Sequence, residues 1–283
     1  MKDITKKYSI EFALDLPIFI DGLELHPIKL KNLASYYSSV SIIKLSKAQI
    51  NPLYIKMSYY TFLCHYIVTL SKSAVEEERK KGETALILLG SLFSLSMKKN
   101  VIPKVLYNQE TKESSIQLYE IDIENVDKVK SLYENPKQVF TLTKENFDEI
   151  REILIYQNDV HYIDYNKYSK DVQELLLQEE QRRQNKSTTT LEDKVDSVVA
   201  ATGWDTETVS NLSIRRFERI FDRVVKKLEY QINKTGAMSG LISFKDKSIL
   251  EPWTGSIDND PLKHIFADYN STINNTKGMM GKI

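Results

Sequence analysis

The clearest hydrophobic periodicity in the chain runs from Ser213 to Thr235. Apolar side chains recur there at spacings of three and four residues, with charged side chains between them. Such spacing places the apolar residues on one face of an α-helix, which is expected to bury that face against a partner. Ser213 is a suitable N-cap, and Thr235–Gly236 is a suitable end. The apolar face consists of Ile214, Phe217, Phe221, Val224, Val225, Leu228 and Ile232.

Weaker helical periods predict several shorter helices. Two of them have evident start signals, namely Thr143 and Thr190, whose hydroxyls can cap the segments that follow. The charged run Glu76–Lys81 and the glycine after it predict a solvated helix end or turn. The predicted helices are a segment opened by Asn32, the apolar stretch Leu53–Leu70 after the break at Asn51–Pro52, Thr84–Lys98, a pattern that resumes at Asn125, Lys144–Gln157, Ser169–Gln184, a segment from Thr190 to Gly203, and a short turn capped by Thr206.

Two regions predict β-hairpins instead. Residues 8–31 alternate apolar and polar positions, and Asp21–Gly22 is a two-residue turn signal between them. The second region, Val101–Asp122, alternates on both sides of a polar tip. The fold class predicted from these patterns is α+β and predominantly helical.

A loss of apolar residues after residue 177 suggests a division of the chain. We expect an N-terminal α+β domain over residues 1–177, which contains both hairpins, and a linker over residues 178–190. A helical module over residues 191–235 follows, and residues 236–283 form an extended C-terminal tail whose apolar content is too low for independent folding.

Composition narrows the class of protein. Apolar residues make up 41% and charged residues 28% of the chain, as in folded soluble proteins. Lys plus Arg and Asp plus Glu number 39 each, so the chain lacks the basic excess of most nucleic-acid binders. Cys64 is the only cysteine, which excludes an internal disulfide and a cysteine-based zinc site. The N-terminus has no signal-peptide pattern and the most apolar window is too short for a bilayer, so we expect an intracellular protein.

Few residues are candidates for chemistry. Asp159, His161 and Asp164 lie close together and could bind a metal or act as a general base, or they could simply occupy a polar loop, and their spacing matches no ligand motif. Cys64 and His65 are adjacent, so on a helix they point about 100° apart and cannot form a dyad. No phosphate-binding glycine motif is present, since the glycines near Lys234 and Lys245 follow a helix.

The arginines of Ser213–Thr235 and the two tryptophans are candidates for binding. Arg215, Arg216, Arg219 and Arg223 could contact nucleic acid or an acidic protein, but interleaved acidic residues favour a solvated face with i,i+4 pairs. Trp204 and Trp253 are open to two interpretations, because a tryptophan at the edge of a module serves either packing or an interface.

Two stretches together resemble tail-assembly proteins of phages from low-GC hosts. The N-terminal LPIFIDGLELHPIKLKNLASY resembles the opening of those proteins, in which a short hairpin ends in a P-[IL]-K-[LM]-K segment. VAATGWDTETVSNLSIRRFERIFDRV followed by SILEPW resembles their C-terminal part. The residues that carry the likeness are Leu16, Pro17, Gly22, Pro27, Lys29, Lys31, Gly203, Trp204, Leu212, Phe217, Pro252 and Trp253. The Val101–Asp122 hairpin has no counterpart in that pattern.

The resemblance implies a non-enzymatic protein that helps to load tail-tube or tape-measure subunits, or that becomes part of the tail or baseplate. We therefore expect partners among tail, baseplate or tape-measure subunits, with a homo-oligomer within an assembly as a further alternative. We expect no cofactor, metal, small-molecule substrate or membrane contact. The expected location is the host cytoplasm, with incorporation into the virion as a further possibility. The alternative hypothesis is a replication or recombination accessory factor that touches nucleic acid through the Arg-rich helix. The predicted partner-binding residues are Trp204, Phe217, Arg216, Arg223, Pro252 and Trp253.

Overall fold

The structure is a computed structural model that describes residues 2–107, 114–121, 137–160, 162–168, 172–178, 189–239 and 250–255. The helices in this part of the chain are α1 (Lys2–Lys7), α2 (Ser9–Leu14), α3 (Leu33–Lys44), α4 (Lys47–Ile50), α5 (Tyr59–Ser71), α6 (Glu76–Met97), α7 (Phe147–Tyr156), α8 (172–178), α9 (Leu191–Thr202), α10 (Thr206–Ser210) and α11 (Ile214–Met238). Strands β1 (Ile18–Ile20) and β2 (Leu23–Leu25) form one antiparallel sheet, and β3 (Val101–Tyr107), β4 (Ser114–Glu120) and β5 (Lys137–Leu142) form another with β4 in the centre. The predicted α+β, predominantly helical class is confirmed.

The first hairpin has the predicted turn. Asp21 and Gly22 have φ of 49° and 84°, and positive φ at both central residues is what a tight two-residue hairpin turn requires. Ile18 pairs with Leu25, and both side chains are buried on the same face of the sheet. The predicted strand around Ile10 is wrong, because residues 9–14 form α2.

Helices α3, α5 and α6 form the centre of the main core together with α7. The charged run Glu76–Lys81 is a solvated helix end, as predicted, but it is the first part of α6, so the helix predicted from Thr84 begins earlier, at Glu76. A Cβ at Gly82 would lie 2.9 Å from the backbone N of Ser71 in α5. Gly82 therefore permits the close approach of α6 to α5.

The second hairpin is confirmed as β3 and β4, although its tip at 108–113 lies outside the described residues. The helical pattern predicted from Asn125 is contradicted at its end, because Lys137–Leu142 forms β5. The preceding residues 122–136 also lie outside the described part. Only Leu142 of β5 is fully buried, so the strand lacks the alternation that would have indicated it. The next helix, predicted from Lys144, begins at Phe147.

Helices α9, α10 and α11 form a C-terminal module with its own small core. Its first helix has the predicted start, because Thr190 and Asp193 form a capping box, and Gly203 ends it with a φ of 74°. Asp205, not the predicted Thr206, caps α10. Ser213 caps α11 as predicted, but the predicted end at Thr235–Gly236 is wrong, because α11 continues to Met238.

Parts of the remaining predictions fall outside the described residues. Of the helix predicted over Ser169–Gln184, residues 172–178 are helical and Leu176 is buried. Most of the predicted linker and of the predicted tail lie outside the described part, except for residues 178, 189–190, 236–239 and 250–255. No helix of the described chain is both long enough and apolar enough to cross a membrane.

Candidate interaction surface on the C-terminal module

A short backbone clasp joins the C-terminal module to the N-terminal hairpin region. The backbone N–H of Leu30 donates to the carbonyl of Leu212 over 2.8 Å, and the N–H of Ile214 donates to the carbonyl of Ile28 over 2.9 Å. The residues between them, Lys29 and Ser213, form an antiparallel bridge. These bonds fix the start of α11 beside the segment that follows β2. We call this contact, residues 28–30 with 212–214, the clasp.

Side chains reinforce the clasp from both sides. Leu30 is buried in the module's small core with Val198, Val209 and Phe217, whereas Ile214 is buried in the main core. Each unit thus contributes an apolar residue to the other. The Ser213 hydroxyl also donates to Asp15 over 2.8 Å while it accepts the N–H of Arg216 as the helix cap.

Beyond the clasp, within the part of the chain that the structure describes, the apolar partner helix of α11 covers its first half. Phe217 is fully buried in the module's core. Lys194 of α9 binds Glu218 over 2.9 Å, and its ammonium lies 5.2 Å from the centre of the Phe221 ring. Because Val198, one turn further along α9, packs with Phe217, the two helices run in opposite directions and α9 begins near Phe221.

The second half of α11 carries the same apolar face into solvent. With 1.5 Å per residue, the helix extends about 25 Å beyond Phe221. Leu228 is 53% exposed and Ile232 is 70% exposed, although both continue the line of the buried Phe217. We define the distal stripe as these two residues with the partly buried Val224 and Val225. Large apolar side chains aligned on one exposed helix face are typical of an interaction site.

The two edges of this face carry opposite charges. At 100° per residue, one edge is basic and the other acidic. The basic edge consists of Arg216, Arg223, Lys227 and Lys234. The acidic edge consists of Glu218, Asp222 and Glu229. The Lys194–Glu218 ion pair shows that the acidic edge already receives a basic residue from α9.

Residues 250–255 dock against the basic edge of α11. One guanidinium nitrogen of Arg223 donates to the carbonyls of Trp253 and Gly255, each over 2.6 Å. The Lys227 ammonium lies 5.8 Å from the centre of the Trp253 ring, within cation–π range. The N–H of Gly255 closes a turn on the carbonyl of Pro252 over 2.9 Å. Arg223 therefore anchors this segment through its backbone.

The predicted partner-binding residues separate into three groups. Arg223 and Trp253 meet, with Pro252 exposed beside them. Arg216 and Trp204 are exposed, the latter between α9 and α10. Phe217 is fully buried, so its side chain holds the module together and does not present a surface. Leu228 and Ile232 are not among the predicted partner-binding residues. A usable signal for them is that the apolar face of α11 is longer than α9, the helix that packs on it.

The two acidic residues that flank His161 in the sequence form ion pairs with basic side chains from elsewhere in the chain. Arg151 binds Asp164 over 2.9 Å and also donates to the carbonyl of Ile43 and to Tyr162. Asp159 pairs with Lys44. Burial alone would raise the pKa of Asp164, but the adjacent Arg151 guanidinium and the N–H of Asn166 bring this pKa below its usual range. His161 lies outside the described residues.

Neither a metal site nor a reactive thiol is evident in the described part of the chain. No three His, Cys, Asp or Glu side chains within it are placed to share a metal ion. Burial raises the pKa of the Cys64 thiol to about 11, which keeps it protonated at neutral pH. His65 instead contacts Tyr54 and Thr69 on the helix surface.

Comparison with known proteins gives one match. The family model described as the YomV second domain matches residues 182–258, which span α9, α10, α11 and the docked Trp253 segment. That family is phage-derived, so the match suggests a phage protein. No curated protein matches the chain, and no solved structure does. The family match coincides with the module that carries the distal stripe.

Proposed function

We propose that this protein is a non-enzymatic bacteriophage protein that takes part in tail or baseplate assembly through protein–protein contacts. The observation that carries the proposal is the distal stripe, an exposed apolar face on a module that matches a phage-derived family. Its partners are other tail or baseplate subunits or the tape-measure protein. It acts in the host cytoplasm, as an assembly factor or as a part retained in the virion.

The charge distribution of α11 favours a protein partner over nucleic acid. Arg215 donates to the carbonyl of Tyr156 over 2.8 Å, and Arg223 is engaged by the Trp253 segment. Arg215 and Arg223, which belong to the four arginines proposed for nucleic-acid contact, are thus used inside the protein. The acidic edge would also repel a phosphate backbone.

The test is affinity capture of the tagged full chain from cells that produce the phage tail proteins, with nuclease treatment and mass spectrometry. The matched comparison is a chain that ends at Ser239, which keeps all of α11. Recovery of tail, baseplate or tape-measure subunits supports the proposal. Recovery of replication proteins or nucleic acid instead contradicts it. Detection of the protein in purified particles distinguishes a retained component from an assembly factor.

A further inference from the structure

We propose that the distal stripe of α11 is the docking site for one amphipathic helix of a partner protein. This helix carries acidic residues along one side of its apolar face and basic residues along the other. The inference rests on the proposed function, since it names the surface and the partner chemistry of that contact.

Continuity with an existing interface gives the first argument. α9 is a helix already seated on α11, and its apolar residues Val195, Val198 and Val199 cover the region around Phe217. The distal stripe is the direct extension of that covered face. A partner helix placed end to end with α9 would therefore continue the same packing.

Charge gives the second argument, because α9 has acidic residues on one side of its apolar face and a basic residue on the other. At 100° per residue, Glu192 and Asp196 lie on one side of its apolar face and Lys194 on the other. Lys194 meets the acidic edge of α11 at Glu218. Along the distal stripe the corresponding edge residues are Glu229 on the acidic side and Lys227 and Lys234 on the basic side, so the partner needs the same two-sided arrangement.

The same two-sided charge argues against other occupants. An anionic membrane or a nucleic acid favours a helix with basic residues on both sides of the apolar face, and Glu229 occupies one side here. A second copy of α11 packed antiparallel would place basic edge beside basic edge. A parallel copy would match the charges but would run against the direction of α9, which is antiparallel to α11. A helix from a different protein can continue the direction of α9 and satisfy both edges.

The test uses a fluorescent peptide with the sequence of residues 189–203 as the probe, because this segment contains α9. Binding to the full chain is measured by fluorescence anisotropy. We expect saturable binding that weakens at least tenfold in Leu228→Gln/Ile232→Gln, a pair of changes that retains good helix propensity. The matched control, Ile87→Gln/Leu53→Gln, removes side chains that are 69% and 78% exposed elsewhere and should bind as the wild type does. Circular dichroism checks that each variant is folded.

A second peptide tests the charges. Exchanging Glu192 and Asp196 for lysine and Lys194 for glutamate keeps the apolar face but reverses both edges, and we expect at least tenfold weaker binding. Equal binding of the two peptides would overturn the proposal, as would a wild-type chain that does not bind the first.

Further measurements test whether a membrane, DNA or a second copy of the chain binds the distal stripe instead. Binding to phosphatidylglycerol vesicles or to duplex DNA that is lost in Leu228→Gln/Ile232→Gln would overturn the proposal, and so would stripe-dependent dimerisation in sedimentation. The proposed function fails separately: if tail subunits are not captured but the peptide binds, the function falls and the docking site stands. If tail subunits are captured equally by Leu228→Gln/Ile232→Gln, the docking site falls and the function stands.

Discussion

Leu30 and Leu212 are joined by a 2.8 Å backbone hydrogen bond, although 181 positions separate them along the chain. Leu30 follows directly from the N-terminal hairpin region, yet its side chain is buried in the core of the C-terminal module. The module is thus completed by a residue from the other end of the protein, which makes the clasp a shared part of both units.

Replacement of Leu30 by alanine should uncouple the module. The change leaves a cavity beside Phe217, and we expect a loss of about 2–5 kcal/mol in the free energy of unfolding. Urea denaturation followed by circular dichroism measures it. Leu53→Ala serves as the control, since Leu53 is exposed and its truncation should cost less than about 0.5 kcal/mol. Equal effects of the two changes would contradict the assignment of Leu30 to the module's core.

The buried ion pair of Arg151 and Asp164 should be sensitive to the removal of one partner. Asp164→Ala leaves the guanidinium buried without its carboxylate, and we expect a loss of about 3–5 kcal/mol in the free energy of unfolding. The double change Arg151→Leu/Asp164→Ala should cost less than the sum of the two single changes, as a double-mutant cycle would show. Strict additivity would mean that the pair is not coupled.

The same carboxylate predicts how stability depends on pH. The folded-state pKa of Asp164 is lowered, so its contribution is present above the unfolded pKa of about 3.9 and is lost as pH falls through the folded value. The wild type should therefore lose stability more steeply below about pH 4 than Asp164→Asn does. Urea midpoints between pH 2.5 and 6 measure this, and parallel curves for the two proteins would refute it.

Arg223 should control the environment of Trp253. The protein has two tryptophans, so a Trp204→Phe background leaves Trp253 as the only indole reporter. Adding Arg223→Ala removes both carbonyl contacts and should shift the Trp253 emission to the red and increase acrylamide quenching. Arg216→Ala, an exposed change two turns earlier, is the control and should leave both unchanged. Identical spectra for all three would show that the segment is held without Arg223.

Gly90 should not tolerate even a methyl group. A Cβ there would lie 2.9 Å from Pro103 Cδ and 3.1 Å from the carbonyl oxygen of Val101, both on a strand that packs against α6. Alanine normally favours a helix interior by about 1 kcal/mol over glycine, but overpacking costs about 1–3 kcal/mol. We expect Gly90→Ala to lower the thermal unfolding midpoint, whereas Glu83→Ala, exposed on the same helix, should not.

Local signals in the sequence were sufficient for much of the fold. Asp21–Gly22 predicted its turn because few residue pairs adopt positive φ at both positions. Thr190 and Ser213 predicted helix starts because their hydroxyls accept hydrogen bonds from N–H groups of the first turn. The strand predicted over residues 9–14 is wrong because so short a stretch fits both the two-residue period of a strand and the 3.6-residue period of a helix. In the structure Phe12 is the buried residue of this helix. The packing role of Gly82 has no local signal, because it depends on Ser71 in another helix.

The candidate surface was only partly predictable for a related reason. The helical period of α11 predicted its apolar face. Which part of that face is buried depends on where α9 begins and ends, which the period does not show. Likewise, Asp159 and Asp164 looked like neighbours in a possible site, whereas the structure assigns each to a cation from a different segment, Lys44 or Arg151. Pairings over long sequence distances leave no local pattern.

The clasp has a consequence for how the chain matures during synthesis. Leu30 leaves the ribosome early, but its packing partners Val198, Val209 and Phe217 are made nearly two hundred residues later. Until then an apolar side chain beside the first hairpin has no native cover, and a large loop has to close before it gains one. The native cover of Leu30 can therefore be complete only after synthesis has reached Phe217, so the finished N-terminal region depends on the C-terminal module.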